Sequence, residues 1–292
     1  MSPKQVWRLI KEAFEQWNQD DASRLAAALA YYTIFSIAPL LILVIAITSL
    51  FFDRAIVRQE LIDQMQTLVG NDGAAFLQTV LDNANRPGER SGIFASAVSI
   101  GLLLVGATGV LTQLQAALNA VWNVEAKPER GFWNIVHKRV LSLGMILGIG
   151  FILLVSLALS ALIAGFSYYL EMTMPGLDTL TQLLNFAVSF GITTVIFALI
   201  FKFMPDVTIT WGDVWFGGAT TAFLFSLGKV LIGLYLGNSS FSSSYGAAGS
   251  VIVLLVWVFY SSQILFFGAE ITQVYARRYG SQITPNRYAI KK

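Results

Sequence analysis

The chain has 292 residues, of which 55% are hydrophobic and 12% are Asp, Glu, Lys or Arg. This charged fraction is about half of the value typical of soluble domains, which excludes a soluble fold and makes lipid the expected solvent for most side chains. There is no cysteine, so disulfides and thiolate metal sites are excluded. The net charge of +2 is small, but the positions of the basic residues are informative.

The first 22 residues predict an amphipathic helix that lies on the cytoplasmic surface of the membrane. Apolar side chains recur on one face at helical spacing, and charged residues occupy most of the other positions. This pattern is typical of interfacial helices. The apolar face consists of Val6, Trp7, Ile10, Phe14 and Trp17.

The first long apolar run extends from Leu25 to Phe52 without a charged residue. The apolar core of a signal peptide is roughly 7 to 15 residues long, so we expect this longer run to stay in the membrane as the first spanning helix. Pro39 lies inside the run and removes one backbone donor, which frees the carbonyl near Phe35 and bends the helix. The bend is either a fixed structural kink or a moving hinge.

A helix needs roughly 20 mostly apolar residues to cross a bilayer, and six stretches of the chain meet this requirement. They are residues 29–52, 92–122, 141–170, 182–204, 212–236 and 247–275. Residues 53–91 hold two further periodic stretches, which predict an external helical hairpin. We therefore expect an all-α, polytopic membrane helix bundle, with about six transmembrane helices plus interfacial amphipathic helices, as a single integral membrane domain over residues 1–292.

The fifth predicted span carries a lysine, Lys229, beside small residues. Glycines four positions apart let helix backbones approach closely, as for Gly233 and Gly237 here and for Gly144 and Gly148 in the third span. Lys229 shares a helical stripe with such small residues, which favours an interior position. The alternative is a side chain that extends to the outer interface.

Basic residues determine the expected orientation, because loops rich in Lys and Arg resist translocation. They are concentrated in both terminal tails and in the loop after the second span, whereas residues 171–181 and 237–246 contain none. Both termini are therefore predicted to be cytoplasmic. The basic loop is predicted to contact anionic lipid head groups through Lys127, Arg130, Lys138 and Arg139.

Two polar stripes cross the cytoplasmic half of the predicted bundle. The sixth span carries Tyr260, Gln263, Glu270, Gln273 and Arg277 at helical spacing. The second span carries Thr108, Thr112, Gln115 and Asn119. The stripes predict a polar cavity open to the cytoplasm, in which Glu270 holds a cation, a proton or a basic neighbour such as Lys202. The alternative is that their hydrogen bonds only fix the packing of the helices.

Soluble-enzyme chemistry finds little support in these residues. A zinc site or a nucleophilic triad would need more than the lone His137. Gly228 and Lys229 lack the upstream glycine of a phosphate-binding loop. We therefore expect no enzyme activity, metal or cofactor. The positive-inside pattern accounts for the basic residues, so no nucleic-acid binding is expected either, and the sequence does not indicate an oligomeric state.

Four blocks of sequence resemble one family of bacterial membrane proteins, the YihY / virulence factor BrkB family. They are Ala26 to Tyr32 with Ser36 and Pro39, Leu114 to Asn119 with Trp122, Phe203 to Asp206 with Trp211 and Trp215, and Tyr245 to Ala247 with Trp257, Tyr260 and Gly268 to Glu270. The resemblance covers essentially the whole chain. It implies a six-helix inner-membrane protein associated with the cell envelope and virulence.

The family to which the chain is similar was formerly labelled ribonuclease BN-like. The residues of this chain do not support that label. One histidine, no cysteine and no clustered cytoplasmic carboxylates leave no means of holding a catalytic metal. The leading hypothesis is a transporter-like protein of the bacterial inner membrane that moves a lipid or an amphipathic solute. The alternative is a membrane scaffold for envelope assembly that transports nothing. In either case membrane lipids are the expected partners.

Overall fold

The computed structural model describes residues 2–49, 53–69, 71–84, 109–127, 144, 148, 178–237, 249–281, 283–286 and 289–292. Several sequence predictions lie outside these residues. They are most of the spans at 92–122 and 141–170, the end of the external hairpin at 85–91, the motif Tyr245 to Ala247, and the side chains of Arg130, His137, Lys138 and Arg139.

The described chain is helical nearly throughout. Its helices are α1 (Pro3–Gln19), α2 (Ala22–Thr48), α3 (Arg54–Val69), α4 (Asn71–Ala84), α5 (109–121), α6 (Asp178–Phe203), α7 (Trp211–Gly237) and α8 (Gly249–Tyr279). Four short strands complete it: β1 (Val124–Ala126), β2 (Val207–Thr208), β3 (Thr284–Pro285) and β4 (Ala289–Lys291).

Three of the described helices are long and apolar enough to cross a membrane. The candidate spans are Gln182–Phe203 in α6, Trp211–Leu234 in α7 and Gly249–Tyr279 in α8. They correspond to the last three spans predicted from the sequence. The all-α membrane helix bundle is thereby confirmed, whereas the total of six spans stays a prediction. α2 is a further apolar helix of 27 residues, with Pro39 in its interior.

The described residues fall into two compact units. One unit comprises the described parts of 1–14, 122–226 and 267–292. Its apolar core joins α1 to the C-terminal end of α8, where Leu9 and Ala13 of α1 pack with Ile271 and Val274 of α8.

The other unit comprises the described parts of 15–121 and 227–266. Its core is larger and brings the two helices α3 and α4 against α2 and the first turns of α8. The buried side chains include Ile37 and Leu41 of α2, Leu77 and Leu81 of α4, and Leu254 of α8. The arrangement of the chain as a single membrane domain stays a prediction.

The turn between α1 and α2 depends on Asp21. This residue has a backbone φ of 51°, in the left-handed region where aspartate is more frequent than most non-glycine residues. Its carbonyl accepts hydrogen bonds from the backbone N–H groups of Arg24 (2.8 Å) and Leu25 (3.1 Å), which begin the first turn of α2. The chain thus changes direction directly after the N-terminal helix.

The C-terminal tail folds back in two small antiparallel ribbons. β3 pairs with β2, so that Thr284 lies opposite Thr208. β4 pairs with β1, so that Lys291 lies opposite Val124, and the N–H of Lys292 donates to the carbonyl of Asn123 at 2.9 Å. The C-terminal tail, the segment around β1 and the segment around β2 are thereby connected within one unit.

Candidate functional site

The C-terminal half of α8 contains a cluster of buried polar side chains. Glu270 is 0% exposed, and both of its carboxylate oxygens are buried. Thr272 is fully buried and Gln273 is 4% exposed. Ionisable residues inside membrane spans are rare because the apolar surroundings penalise charge, and those that occur usually face a protein interior or water. Glu270 is therefore the best candidate for a functional residue in α8.

Close contact between α7 and α8 places this cluster in the interior. A Cβ atom on Gly217 would lie 1.9 Å from the Oγ1 atom of Thr272, and one on Gly268 would lie 2.0 Å from the Oγ1 atom of Thr221. These two glycine–threonine contacts are reciprocal, because each helix supplies one glycine and one threonine four residues apart. Glu270 lies between Gly268 and Thr272 in the chain, within a run of buried residues at 268–274.

The hydroxyls of both threonines are bonded within their own helices. Thr221 Oγ1 donates to the carbonyl of Gly217 at 2.7 Å, and Thr272 Oγ1 donates to the carbonyl of Gly268 at 2.6 Å. Each polar group thus has a partner while its methyl group and Cβ press against the facing glycine. We name these four residues the glycine–threonine contact.

α6 approaches α7 equally closely, on a neighbouring side of α7. A Cβ atom on Gly218 would lie 2.8 Å from the carbonyl oxygen of Thr194 and 3.0 Å from the backbone nitrogen of Ala198. Small residues allow such contacts between membrane helices, which in turn gain dispersion energy along their backbones. The helices α6, α7 and α8 therefore form a closely packed group.

Two further residues of the predicted polar stripe on α8 lie in the other compact unit. Gln263 is half-buried, and its Nε2 atom donates to Ser23 Oγ at 3.0 Å. Tyr260 is half-buried and lies near Gly228, where an added Cβ would come within 3.0 Å of the tyrosine hydroxyl. The sequence did not predict that Gln263 bonds the start of α2.

The predicted stripe of the second span lies on α5. Asn119 is buried, Gln115 is half-buried and Thr112 is exposed. The first described residue of this helix, Gly109, is close to α2, because a Cβ there would lie 3.2 Å from Ser36 Oγ. The grouping of the α5 and α8 stripes in one cavity stays a prediction.

The two intramembrane lysines are placed differently. Lys229 is half-buried on α7. Lys202, at the end of α6, donates from its ammonium to the carbonyl of Ile209 and lies 5.4 Å from the centre of the Trp211 ring. These contacts occupy Lys202 at the α6–α7 connection, and none of them involves Glu270. The hypothesis that Lys202 is the basic neighbour of Glu270 therefore receives no support.

An acidic residue on α1 binds two arginines at the end of α8. The carboxylate of Glu12 pairs with Arg277 through one oxygen and with Arg278 through the other. The Glu12 side chain is 17% exposed, whereas the side chains of Arg277 and Arg278 are 45% and 39% exposed. Sequence reasoning assigned Arg277 to the polar stripe of α8 and did not predict this partner.

A second acidic residue, Asp213, fixes the C-terminal tail. It is buried in the first turn of α7, where Thr210 Oγ1 donates to Oδ2 at 2.9 Å. The same oxygen accepts hydrogen bonds from the backbone nitrogen (3.1 Å) and the hydroxyl (2.8 Å) of Ser281. The spacing of Thr210 and Asp213 resembles a capping box at the start of a helix. This spacing was the sequence signal that could have marked Asp213 as a residue with hydrogen-bond partners.

The described residues contain no group of three or more histidine, cysteine, aspartate or glutamate side chains that could hold a metal ion. His137 lies outside them.

Comparison with known proteins identifies the family. The family described as "Virulence factor BrkB" matches residues 13–291. The chain belongs to this family. The resemblance inferred from the four sequence blocks is thereby confirmed, and the virulence factor BrkB motifs can be placed in the structure: Glu270 is in the α8 cluster, and Asp206 is buried at the α6–α7 connection.

Several relatives of this chain are called UPF0761 membrane proteins. A UPF0761 membrane protein of Teredinibacter turnerae is 29% identical over 94% of this chain and 62% of its own length. One of Azotobacter vinelandii is 28% identical over 91% and 62%, and one of Pseudomonas aeruginosa (strain LESB58) is 27% identical over 86% and 58%. The BrkB chain thus spans about three fifths of the length of these relatives. No solved structure matches it.

Proposed function

We propose that this chain is a transporter-like protein of the bacterial inner membrane, which moves a lipid or an amphipathic solute in envelope maintenance. One observation carries the proposal: Glu270 has no exposed surface and lies within a candidate membrane span. Holding a carboxylate in apolar surroundings is costly, and in membrane proteins such residues mark substrate or ion pathways by default. The proposal includes no enzyme activity.

The neighbour of Glu270 one turn further along α8 supports a binding role. Gln273 is almost completely buried, yet its Oε1 atom accepts no hydrogen bond from the described residues. A buried polar atom without a partner is rare in folded proteins and calls for an explanation such as a water, an ion or a ligand. A polar group of a transported molecule would satisfy this oxygen.

The other compact unit holds a separate set of polar residues. We assign Tyr260, Gln263, Thr112, Gln115 and Asn119 to a cytoplasmic polar cavity of their own unit. The support is their helical spacing on two predicted spans and the partial or complete burial of all but Thr112. Both termini are cytoplasmic in this proposal, and membrane lipids are the partners, including anionic head groups at Lys127.

The proposal is tested by lipid movement in proteoliposomes. Purified full-length chain is reconstituted with a fluorescent phospholipid analogue, and dithionite reports how fast the analogue reaches the outer leaflet. We expect Glu270→Gln to abolish the protein-dependent rate while the thermal unfolding midpoint stays close to that of the wild type. Glu125→Gln is the matched control, because Glu125 is exposed on β1. Unchanged lipid movement in Glu270→Gln would reject the role of Glu270.

The scaffold function has its own supporting observation, the glycine–threonine contact. Backbones so close together hold α7 and α8 in one relative position, as an assembly platform requires. This alternative expects no protein-dependent lipid movement in the wild type and a lower unfolding midpoint in Glu270→Gln. The nuclease label has a separate test. Purified protein is incubated with RNA and Mg²⁺, and we expect no RNA cleavage that depends on His137. Cleavage by the wild type that is lost in His137→Ala would therefore support the nuclease label.

A further inference from the structure

α1 presents one face to its own protein and a different face outward. Toward α8 it places Leu9 and Ala13, both buried, which pack with Ile271 and Val274. The pairing of Glu12 with two arginines lies next to this contact. Apolar packing and a forked ion pair together prevent the helix from turning about its axis, so the orientation of its other face is fixed.

That other face consists of large apolar side chains that are exposed. Trp7 is 70% exposed and Phe14 is 54% exposed, and Val6 and Ile10 are exposed beside them. A contiguous group of exposed apolar side chains marks an interaction site or a membrane contact in a folded protein. Four of the five residues of the apolar face predicted from the sequence are therefore exposed, and the fifth, Trp17, is half-buried.

Basic side chains flank this apolar face. Lys4 precedes Trp7 by three residues and Lys11 follows it by four, so both lie on the same side of the helix as the tryptophan. Both lysines are exposed, as is Arg8. Tryptophan prefers the boundary between head groups and acyl chains, and long basic side chains extend from such a boundary to lipid phosphates.

We propose that the outer face of α1 docks into an anionic lipid leaflet. Trp7, Ile10 and Phe14 enter the boundary between head groups and acyl chains, and Lys4 and Lys11 bind the lipid phosphates. Since Glu12 ties α1 to Arg277 and Arg278, the docked helix also holds the end of α8 at the membrane surface. This surface is independent of any transport activity.

The absence of cysteine from the chain allows a direct test. Full-length Trp7→Cys is labelled with a nitroxide, placed in nanodiscs containing phosphatidylglycerol, and examined for collisions with oxygen and with a water-soluble nickel chelate. We expect frequent collisions with oxygen and few with nickel, the signature of a site below the head groups. Gln5→Cys is the control, because it lies two residues away on the opposite side of the helix and is exposed.

The charge dependence separates anionic lipid from other partners. Replacing Lys4 and Lys11 by Gln in the labelled Trp7→Cys chain should lower the ratio of docked to undocked label by about fivefold per lysine. Phosphatidylcholine nanodiscs should give the same reduction without mutation. Equal nickel accessibility at Trp7→Cys and Gln5→Cys would overturn the proposal. So would protection of Trp7→Cys from both collision partners, because that result indicates a protein partner.

Discussion

The Oγ1 atom of Thr272 lies 1.9 Å from the position that a Cβ atom on Gly217 would occupy. No side chain larger than hydrogen fits at residue 217 without a shift of the helices α7 and α8. Thr221 and Gly268 repeat the relationship one turn away in the opposite direction, at 2.0 Å. The two helices therefore run antiparallel in close contact, and the buried cluster around Glu270 depends on that contact.

Gly217→Ala should lower the free energy of unfolding by about 1–3 kcal/mol, because the added methyl group overpacks the contact with Thr272. Thermal unfolding in detergent measures the effect. Gly233→Ala is the matched control, since a Cβ there would have no described atom within 4 Å. Alanine favours helix over glycine by about 1 kcal/mol, so the control should be neutral or stabilising. A midpoint for Gly217→Ala equal to that of Gly233→Ala would contradict the expectation.

Glu12→Gln should loosen the attachment of the N-terminal helix without unfolding the protein. The glutamine side chain is neutral, so the pairing with Arg277 and Arg278 is lost. Both arginines are more than one third exposed, so water and salt screen the interaction and the loss should be about 1 kcal/mol or less. Hydrogen exchange of residues 3–19 at low ionic strength measures it.

Salt provides the control for that experiment. In 1 M salt the screening length falls to about 3 Å, so wild type and Glu12→Gln should exchange at more similar rates than at low salt. If the difference between them is equally large at both salt concentrations, packing of the side chain and not charge holds α1.

Asp213→Asn should release the C-terminal tail. One oxygen of Asp213 accepts three hydrogen bonds, two of them from Ser281. The amide of asparagine accepts hydrogen bonds more weakly than a carboxylate, so it cannot replace Asp213 as the acceptor for all three donors. A buried polar group that loses its hydrogen-bond partner destabilises the folded state by about 1–3 kcal/mol. We expect faster proteolytic cleavage after residue 280 than in the wild type. Asp63→Asn, a change at an exposed aspartate of α3, should leave the cleavage rate unchanged.

The sequence predicted the fold class and the apolar helices well, because membrane spans are determined by composition along one segment. The last three spans agree with their predicted limits to within a few residues. Spacing alone also predicted most of the exposed apolar face of α1: Val6, Trp7, Ile10 and Phe14 are exposed, whereas Trp17 is half-buried.

Contacts between distant segments could not be predicted from the sequence. Close packing was predicted at Gly233, where the described structure has none, and was not predicted at Gly217 and Gly268. Any glycine permits close approach, but only the position of the facing helix decides which glycine is used. The same holds for Glu12 and Asp213, whose partners are 265 and 68 residues away in sequence.

The orientation of the chain in the membrane stays a prediction and has a direct test. Loops rich in Lys and Arg resist translocation, so the N-terminal tail should be cytoplasmic and the uncharged loop at 237–246 should be outside. In the cysteine-free chain, Ser2→Cys and Ser239→Cys each provide one reactive group. A membrane-impermeant maleimide added to intact spheroplasts should label Ser239→Cys, and it should label Ser2→Cys only after the membrane is opened. Labelling of both variants from outside would reject the cytoplasmic N-terminus, and with it the assignment of the Glu270 cluster to the cytoplasmic half of the bundle.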